Sequence, residues 1–403
     1  MSQPLPRLRM NLDFMPSPVE DRPGLLIRDS FQYSDATLII PPVLVQCLQC
    51  FDGKQTPLDL RELLVRITGE LDVGKIGQHL TDTLSAAGFL EDEAFHTMKS
   101  ERQRAFAEAP VREPSHAGAA YPDTREELQQ TMAEYMADGP PAATGSLVAI
   151  AAPHVSPFGG WETYRAAYSA LGPQHKDRTF VVLGTSHYGE PDHFGLTRKP
   201  FVTPFGTAVT DMRLLEQLAS EPAAIMEDYF HSIEHSIEFQ VLFLQYLYGP
   251  DVRILPILCG SYANSIYLGG APESNDGVNR FLGRLGEMAA KEGDRLLWVL
   301  GIDMAHMGQR YGDERNVYAD RAEMIDVDSR DRQRIDRVNA GDATGFWDLV
   351  QQNHDDLKWC GSSPLYTFLK ANPGLRGDTR GYRQWNIEEG SVVSFAALSF
   401  TSR

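Results

Sequence analysis

Beyond about residue 112 the chain alternates short, mostly apolar runs with longer segments of helical periodicity. The runs that open at Leu147, Thr179 and Leu296 and end on His154, His187 and His306, together with the run 252–259, read as buried strands. Segments 163–171, 233–248 and 276–290 carry apolar residues at helical spacing, the first stopped by Gly172-Pro173. A further extended stretch is expected at 194–197 and a late strand at 391–399. This alternation predicts an α/β domain over 106–403, with a mostly parallel central sheet flanked by helices.

Residues 1–105 read differently. After a Pro-rich lead the pattern predicts a strand at 36–40 and an apolar helix over 42–51 that ends at the turn Asp52-Gly53-Lys54. Thr56-Pro57-Leu58-Asp59 then offers an N-cap, a proline at the first helical position and an acid in the first turn, ahead of an amphipathic helix at 60–67. A third helix over 73–87 stops at Gly88, and Phe89-Leu90 starts a small wing. The result is a helical, winged-helix-like module. Its third helix carries little positive charge for phosphate contacts, which favours docking of a protein or peptide over DNA. Residues 97–114 read as a helical linker.

Charge narrows the function classes. The formal net charge of −18 is spread without a Lys/Arg block, which argues against nucleic-acid or anionic-membrane surfaces and for a small-molecule or protein-facing role. No apolar run is long enough to span a bilayer, and the N-terminus lacks a signal-peptide core, so the expected compartment is the cytoplasm. The four cysteines, Cys47, Cys50, Cys259 and Cys360, are too few for a disulfide framework. Cys47 and Cys50 form a C-x-x-C, but inside an apolar helical pattern and without a second pair, which favours core packing over a redox or half-zinc role.

Histidines stand at the ends of three predicted strands: Pro153-His154, Ser186-His187 and Asp303-Met-Ala-His306. Strand exits of open α/β sheets converge on one crevice, and neutral imidazole suits iron, zinc or copper. Asp303 is a candidate ligand or orienting carboxylate. The segment His231-Ser-Ile-Glu234-His235-Ser-Ile-Glu238 has two readings. On a helix, His231 and His235 share a face, and His231-Ser-Ile-Glu-His235 fits the H-x-x-E-H pattern of zinc hydrolases; that reading leaves His154, His187 and His306 unexplained.

Taken in order, Ser115-His-Ala-Gly-Ala-Ala-Tyr-Pro122, Ala152-Pro-His154, Leu183-Gly-Thr-Ser-His187, Thr203-Pro-Phe-Gly206, His231 to Gln240, Pro256-Ile-Leu-Cys-Gly260, Asp303-Met-Ala-His306-Met-Gly308 and Cys360-Gly361 resemble the Memo family, specifically its bacterial members called AmmeMemoRadiSam system protein B. The N-terminal module looks like the PqqD-like helical extension of longer members. The resemblance implies a fold similar to class III extradiol dioxygenases, with a non-haem Fe(II) site at the strand ends; zinc and copper are the other metals considered. It implies His154 and His187 as metal ligands, His235 as an acid/base residue and Asp303 as a site carboxylate. Some relatives have a cysteine ligand where this chain has Ala305, so the third ligand falls to His306, then Asp303, then Glu238. Ser186, His231, Glu238 and Cys360 are the expected substrate contacts. A small-molecule substrate and a radical-SAM or AMMECR1-like protein partner are the implied partners.

Overall fold

A computed structural model of the chain describes residues 3–142 and 145–402. The chain divides into two compact units, Met1–Glu108 and Ala109–Arg403.

The first unit holds a three-stranded antiparallel sheet, β1 (Asp13–Pro16), β2 (Leu25–Arg28) and β3 (Thr37–Ile40), and the helices α1 (Pro57–Thr68), α2 (Gly74–Ala86) and α3 (Glu93–Glu108). The cap signals at the start of α1 act as the sequence suggests: Thr56 N–H and its hydroxyl both donate to the Asp59 carboxylate at 2.7 Å. The expected helix at 42–51 is shorter and tighter, an α turn at Pro42–Val45 followed by a 3-10 helix at Gln46–Cys50. Cys47 and Cys50 lie in the core beside Leu64, Leu84 and Phe89. Burial pushes the Cys47 thiol up to about 11, so it packs as an apolar side chain. Leu90 makes only an isolated bridge to Leu8 where a wing is expected.

The second unit is built on an eleven-stranded mixed sheet. Its centre is four parallel strands in the order β4 (Leu147–Ala152), β11 (Leu296–Gly301), β5 (Thr179–Thr185) and β10 (Arg253–Cys259). Short strands in mixed directions extend one margin, and antiparallel strands the other. β6 (Phe194–Leu196) pairs with β10, with β9 (Ala224–Met226) beyond it; β7 (Phe201–Thr203) and β8 (Gly206–Thr210) form a hairpin that joins β10 through β8. On the other side β14 (Ser391–Thr401) lies antiparallel to β4 and also pairs with β12 (His306–Gly308) and β13 (Arg376–Glu388).

Alternation along the central strands sends side chains into two cores. Val181, Leu183, Trp298, Leu300, Leu255 and Ile257 enter one, which α6 (Asp276–Glu292) and α7 (Ser362–Ala371) cover. Phe180, Val182, Leu297, Val299, Ile254 and Leu258 enter the other, under α4 (Pro157–Tyr168) and α5 (Glu238–Tyr248). Burial on both faces explains why these strands read as unbroken apolar runs.

The strand at 296 stops at Gly301, and His306 opens β12 instead of ending β11. Residues 233–248 do not form one helix. A 3-10 turn covers Tyr229–Ser232, and α5 begins only at Glu238. Among the described residues no helix is long and apolar enough to cross a membrane.

Candidate functional site

The carboxyl ends of β4 and β5 deliver His154 and His187 within two residues of the last strand position. A third imidazole arrives from the irregular segment between Ser232 and α5. This approach depends on two glycines that are register partners, Gly184 on β5 and Gly301 on β11. A Cβ at Gly301 would sit 2.1 Å from the Ser236 carbonyl oxygen, and one at Gly184 would sit 2.5 Å from Ser236 Oγ, so only glycine allows the segment this close. Ser236 Oγ then donates to the Thr185 carbonyl (2.8 Å), and Gln240 Nε2 to the Pro153 carbonyl (2.9 Å). The segment is thereby tied to the ends of both histidine-bearing strands.

The outcome is a triangle of His154, His187 and His235. Ring centroids lie 4.9 Å, 5.1 Å and 5.0 Å apart for the pairs 154–187, 154–235 and 187–235. One ring nitrogen from each lies within 4.8 Å of the other two, close enough to share an ion. Two of the rings are held from behind. His154 Nδ1–H donates to the Gly301 carbonyl (3.0 Å), and His187 Nδ1–H to Glu234 Oε2 (2.9 Å). Each bond fixes the ring and leaves Nε2 as the nitrogen available to the rest of the site, an arrangement usual behind metal-binding histidines.

Cys360 completes the cluster. Its Sγ lies 3.2 Å from His154 Nε2. Burial opposes ionisation of this thiol, but the charges of His154 and His306 outweigh it and hold the group well below its usual value. Burial likewise opposes charge on His154, yet Asp303 and Cys360 lift it to about 9. His235 is pushed well down by burial and by the imidazoles of His187, His154 and His116. The loop before Cys360 is fixed: Asn353, His354, Asp355 and Lys358 all have positive φ between 52° and 56°. Such conformations persist only where the surroundings over-determine them. Asp355 is anchored by Arg334 at 2.6 Å and accepts the Trp359 N–H at 3.0 Å.

The expected site residues therefore separate into three groups. His154, His187, Asp303, Ser186 and Cys360 lie at the crevice; Asp303 Oδ1 accepts the His154 backbone N–H (3.0 Å), and its Oδ2 stands 3.5 Å from His154 Nε2. His235 takes the place beside His154 and His187 that the sequence reading gave to His306. His306 instead stands behind Cys360, its Nδ1–H shared between the Met304 and Lys358 carbonyls (2.8 and 3.0 Å).

His231 and Glu238 leave the list of substrate contacts. His231 is buried and donates Nε2–H to the Gly195 carbonyl (3.0 Å), and burial lowers its value to about 3. Glu238 is fully buried and paired with Arg112, with Tyr121 also donating to it. The H-x-x-E-H zinc pattern is not assembled: His231 faces away from His235, and both Glu234 oxygens are engaged by His187.

Sequence reasoning missed Arg112. Its guanidinium donates to the carbonyls of His231 (2.7 Å) and Glu234 (2.7 Å), to Ser115 Oγ (2.9 Å), and to Glu238. The only signal is its position just ahead of the Ser115-His116 motif.

Comparison with known proteins finds relatives along most of the chain. The MEMO1 family protein of Aquifex aeolicus is 28% identical over 389 residues, covering 93% of this chain and 95% of its own length. That coverage takes in much of the N-terminal unit. The MEMO1 family protein of Pyrobaculum aerophilum is 28% identical over 312 residues, 71% of this chain and 99% of its own length. The Thermococcus kodakarensis member is 33% identical over 215 residues, half of this chain and 67% of its own. Residues 112–399, which contain every histidine, carboxylate and thiol of the site, match the Memo-like protein family, and the chain belongs to that family.

Proposed function

We propose that this protein is a metalloprotein whose ion is held by His154, His187 and His235, with the Cys360 thiolate as a further donor. The reading favours Fe(II) in an oxidative reaction on a small molecule. The observation that carries it is the triangle of three imidazoles, two of them with Nδ1 already committed to acceptors. Imidazole with thiolate suits borderline-soft divalent ions, so the donor set fits iron and equally admits zinc or copper. Iron, when bound, supplies redox chemistry at its open positions.

The chain's own groups supply the rest. Asp303, whose carboxyl is raised by burial against the opposing pull of His154, places Oδ2 3.5 Å from His154 Nε2 and holds the His154 backbone through Oδ1. His306 presents Nε2 to the Cys360 side and accepts a proton there, its Nδ1–H being committed to two carbonyls. Glu234 keeps His187 in one tautomer.

The test is metal analysis of protein purified anaerobically under reducing conditions. Stoichiometric metal is expected in the wild type and in His231→Ala, and loss in His154→Ala, His187→Ala and His235→Ala. Wild-type protein without tightly bound metal, or metal lost in His231→Ala while the other three retain it, refutes the reading.

A further inference from the structure

Beside the histidine triangle lies a second space, a cavity of about 280 Å³ that shares His187 and Cys360 with the site. Its volume sits at the lower end of ligand pockets, enough for one ring and a substituent. Two buried hydroxyls among its lining residues, Ser186 Oγ and Ser362 Oγ, have no hydrogen-bond partner among the described residues. Their residues are only 8% and 4% exposed. Buried hydroxyls without partners are rare because they forfeit their bonds to water.

Ser362 is also the first residue of α7, a ten-residue helix whose N-cap is Gly361, with no side chain to cap it. The helix start therefore presents its positive end to the same cavity. Gly361 is confined by the Asp303 carbonyl oxygen, 2.6 Å from where a Cβ would stand. The helix end is thus pinned against the strand exit that carries the site carboxylate.

The opposite wall is apolar, for a specific reason. Trp347, Trp359 and Tyr262 line the cavity, but their polar tips are used elsewhere: Trp347 Nε1 donates to Ser265 Oγ (2.8 Å), Trp359 Nε1 to Asp331 (2.6 Å), and Tyr262 OH pairs with Thr367 Oγ1 (2.7 Å). What remains for a ligand is ring surface. Of the charged lining residues, Asp355 is matched by Arg334 and Lys358 by Asp313 (2.6 Å), so neither repels an anion.

We propose that this cavity binds the substrate as a small carboxylic acid bearing one flat apolar group. The carboxylate accepts from Ser362 Oγ–H at the start of α7 and from Ser186 Oγ–H just past β5, and the flat group lies against Trp359 and Trp347. This deepens the metalloprotein reading and rests on it only for what happens at the histidine end.

The test uses benzoate as the probe, with benzyl alcohol and acetate as controls lacking the charge or the ring, titrated calorimetrically into the full-length protein. Benzoate is expected to bind, and both controls to bind at least tenfold more weakly. Ser362→Ala and Ser186→Ala should each weaken benzoate about tenfold or more, the size expected for a hydrogen bond to a charged group. Because neither hydroxyl has a protein partner, both variants should keep or raise the melting temperature without ligand. No benzoate binding to the wild type, unchanged binding in Ser362→Ala, or an alanine variant that lowers the melting temperature overturns the proposal. Metal content measured on the same samples separates the two readings. Serine-dependent benzoate binding in protein that holds no metal sinks the metal reading alone, and metal-loaded protein indifferent to benzoate sinks the pocket alone.

Discussion

Replacing Arg112 by methionine removes a charge that nothing else can substitute. Arg112 and Glu238 are both fully buried. Burial opposes ionisation of the Glu238 carboxyl, but the guanidinium, with His116 and Tyr121, holds it well below the usual carboxylate range. Breaking a buried pair from one side costs about 3–5 kcal/mol, because the surviving charge keeps its desolvation penalty. All five tryptophans, at 161, 298, 347, 359 and 385, fall in the second unit, so the fluorescence transition in urea reports on that unit alone. At about 2 °C per kcal/mol the melting temperature should fall by about 6–10 °C. The double variant Arg112→Met/Glu238→Gln should lose less than the sum of the single losses, by about 2 kcal/mol or more. Bound metal should fall with Arg112→Met too, since the same guanidinium fixes the carbonyls of His231 and Glu234 on either side of the turn to His235. Single losses below about 1 kcal/mol, or strictly additive ones, would refute the account.

Cys360 should be alkylated by iodoacetamide at pH 6 in metal-free protein and protected by metal loading, as read by peptide mass spectrometry. Burial raises the other three thiols, Cys259 to about 12, and they should stay unmodified in the folded chain. Asp228 gives a pH test outside the triangle of His154, His187 and His235: burial raises it to about 6 from 3.8. Its folded value is the higher one, so its contribution is most favourable below the unfolded value and is lost as pH rises through 6. Asp228→Asn should therefore stabilise the protein by up to about 3 kcal/mol at pH 7–8, with the gain vanishing toward pH 4; an equal gain at both ends of a urea-melt series would be inconsistent with this. Gly301→Ala should cost about 1–3 kcal/mol and reduce bound metal by displacing Ser236. The helical control Gly283→Ala, whose added methyl meets nothing within 4 Å, should be neutral or gain about 0.5–1 kcal/mol.

The central strands and two of the three imidazoles were legible because the sheet is buried on both faces, which leaves unbroken apolar runs with a polar residue at each exit. The segment His231–Glu238 misled because its residues repeat at helical spacing while its carbonyls are claimed from elsewhere. In a helix the oxygens of His231 and Glu234 would accept from residues four positions on; here they accept from Arg112, more than a hundred residues upstream. Long-range capture of that kind leaves no local pattern. β13 was hidden for the opposite reason: its sequence, Arg376–Glu388, is polar because no residue of this outer strand is buried. β1 and β2 were masked by the prolines around them, and Pro16 itself closes β1.

The order in which the sheet is assembled differs from the order in which it is made. β4, which presents His154, has β11 on one side and β14 on the other, with Leu398 opposite Ala151. The neighbours that hold the first histidine in place are thus synthesised about 150 and about 250 residues after it, pairings of high sequence separation that close slowly. His154, His187 and His235 leave the ribosome as separate imidazoles on an unpaired chain, and Cys360 follows much later. On the proposal that the three imidazoles hold an ion, the centre it needs is complete only after these distant strands have paired, so metal loading is expected to lag behind the docking of the last strand.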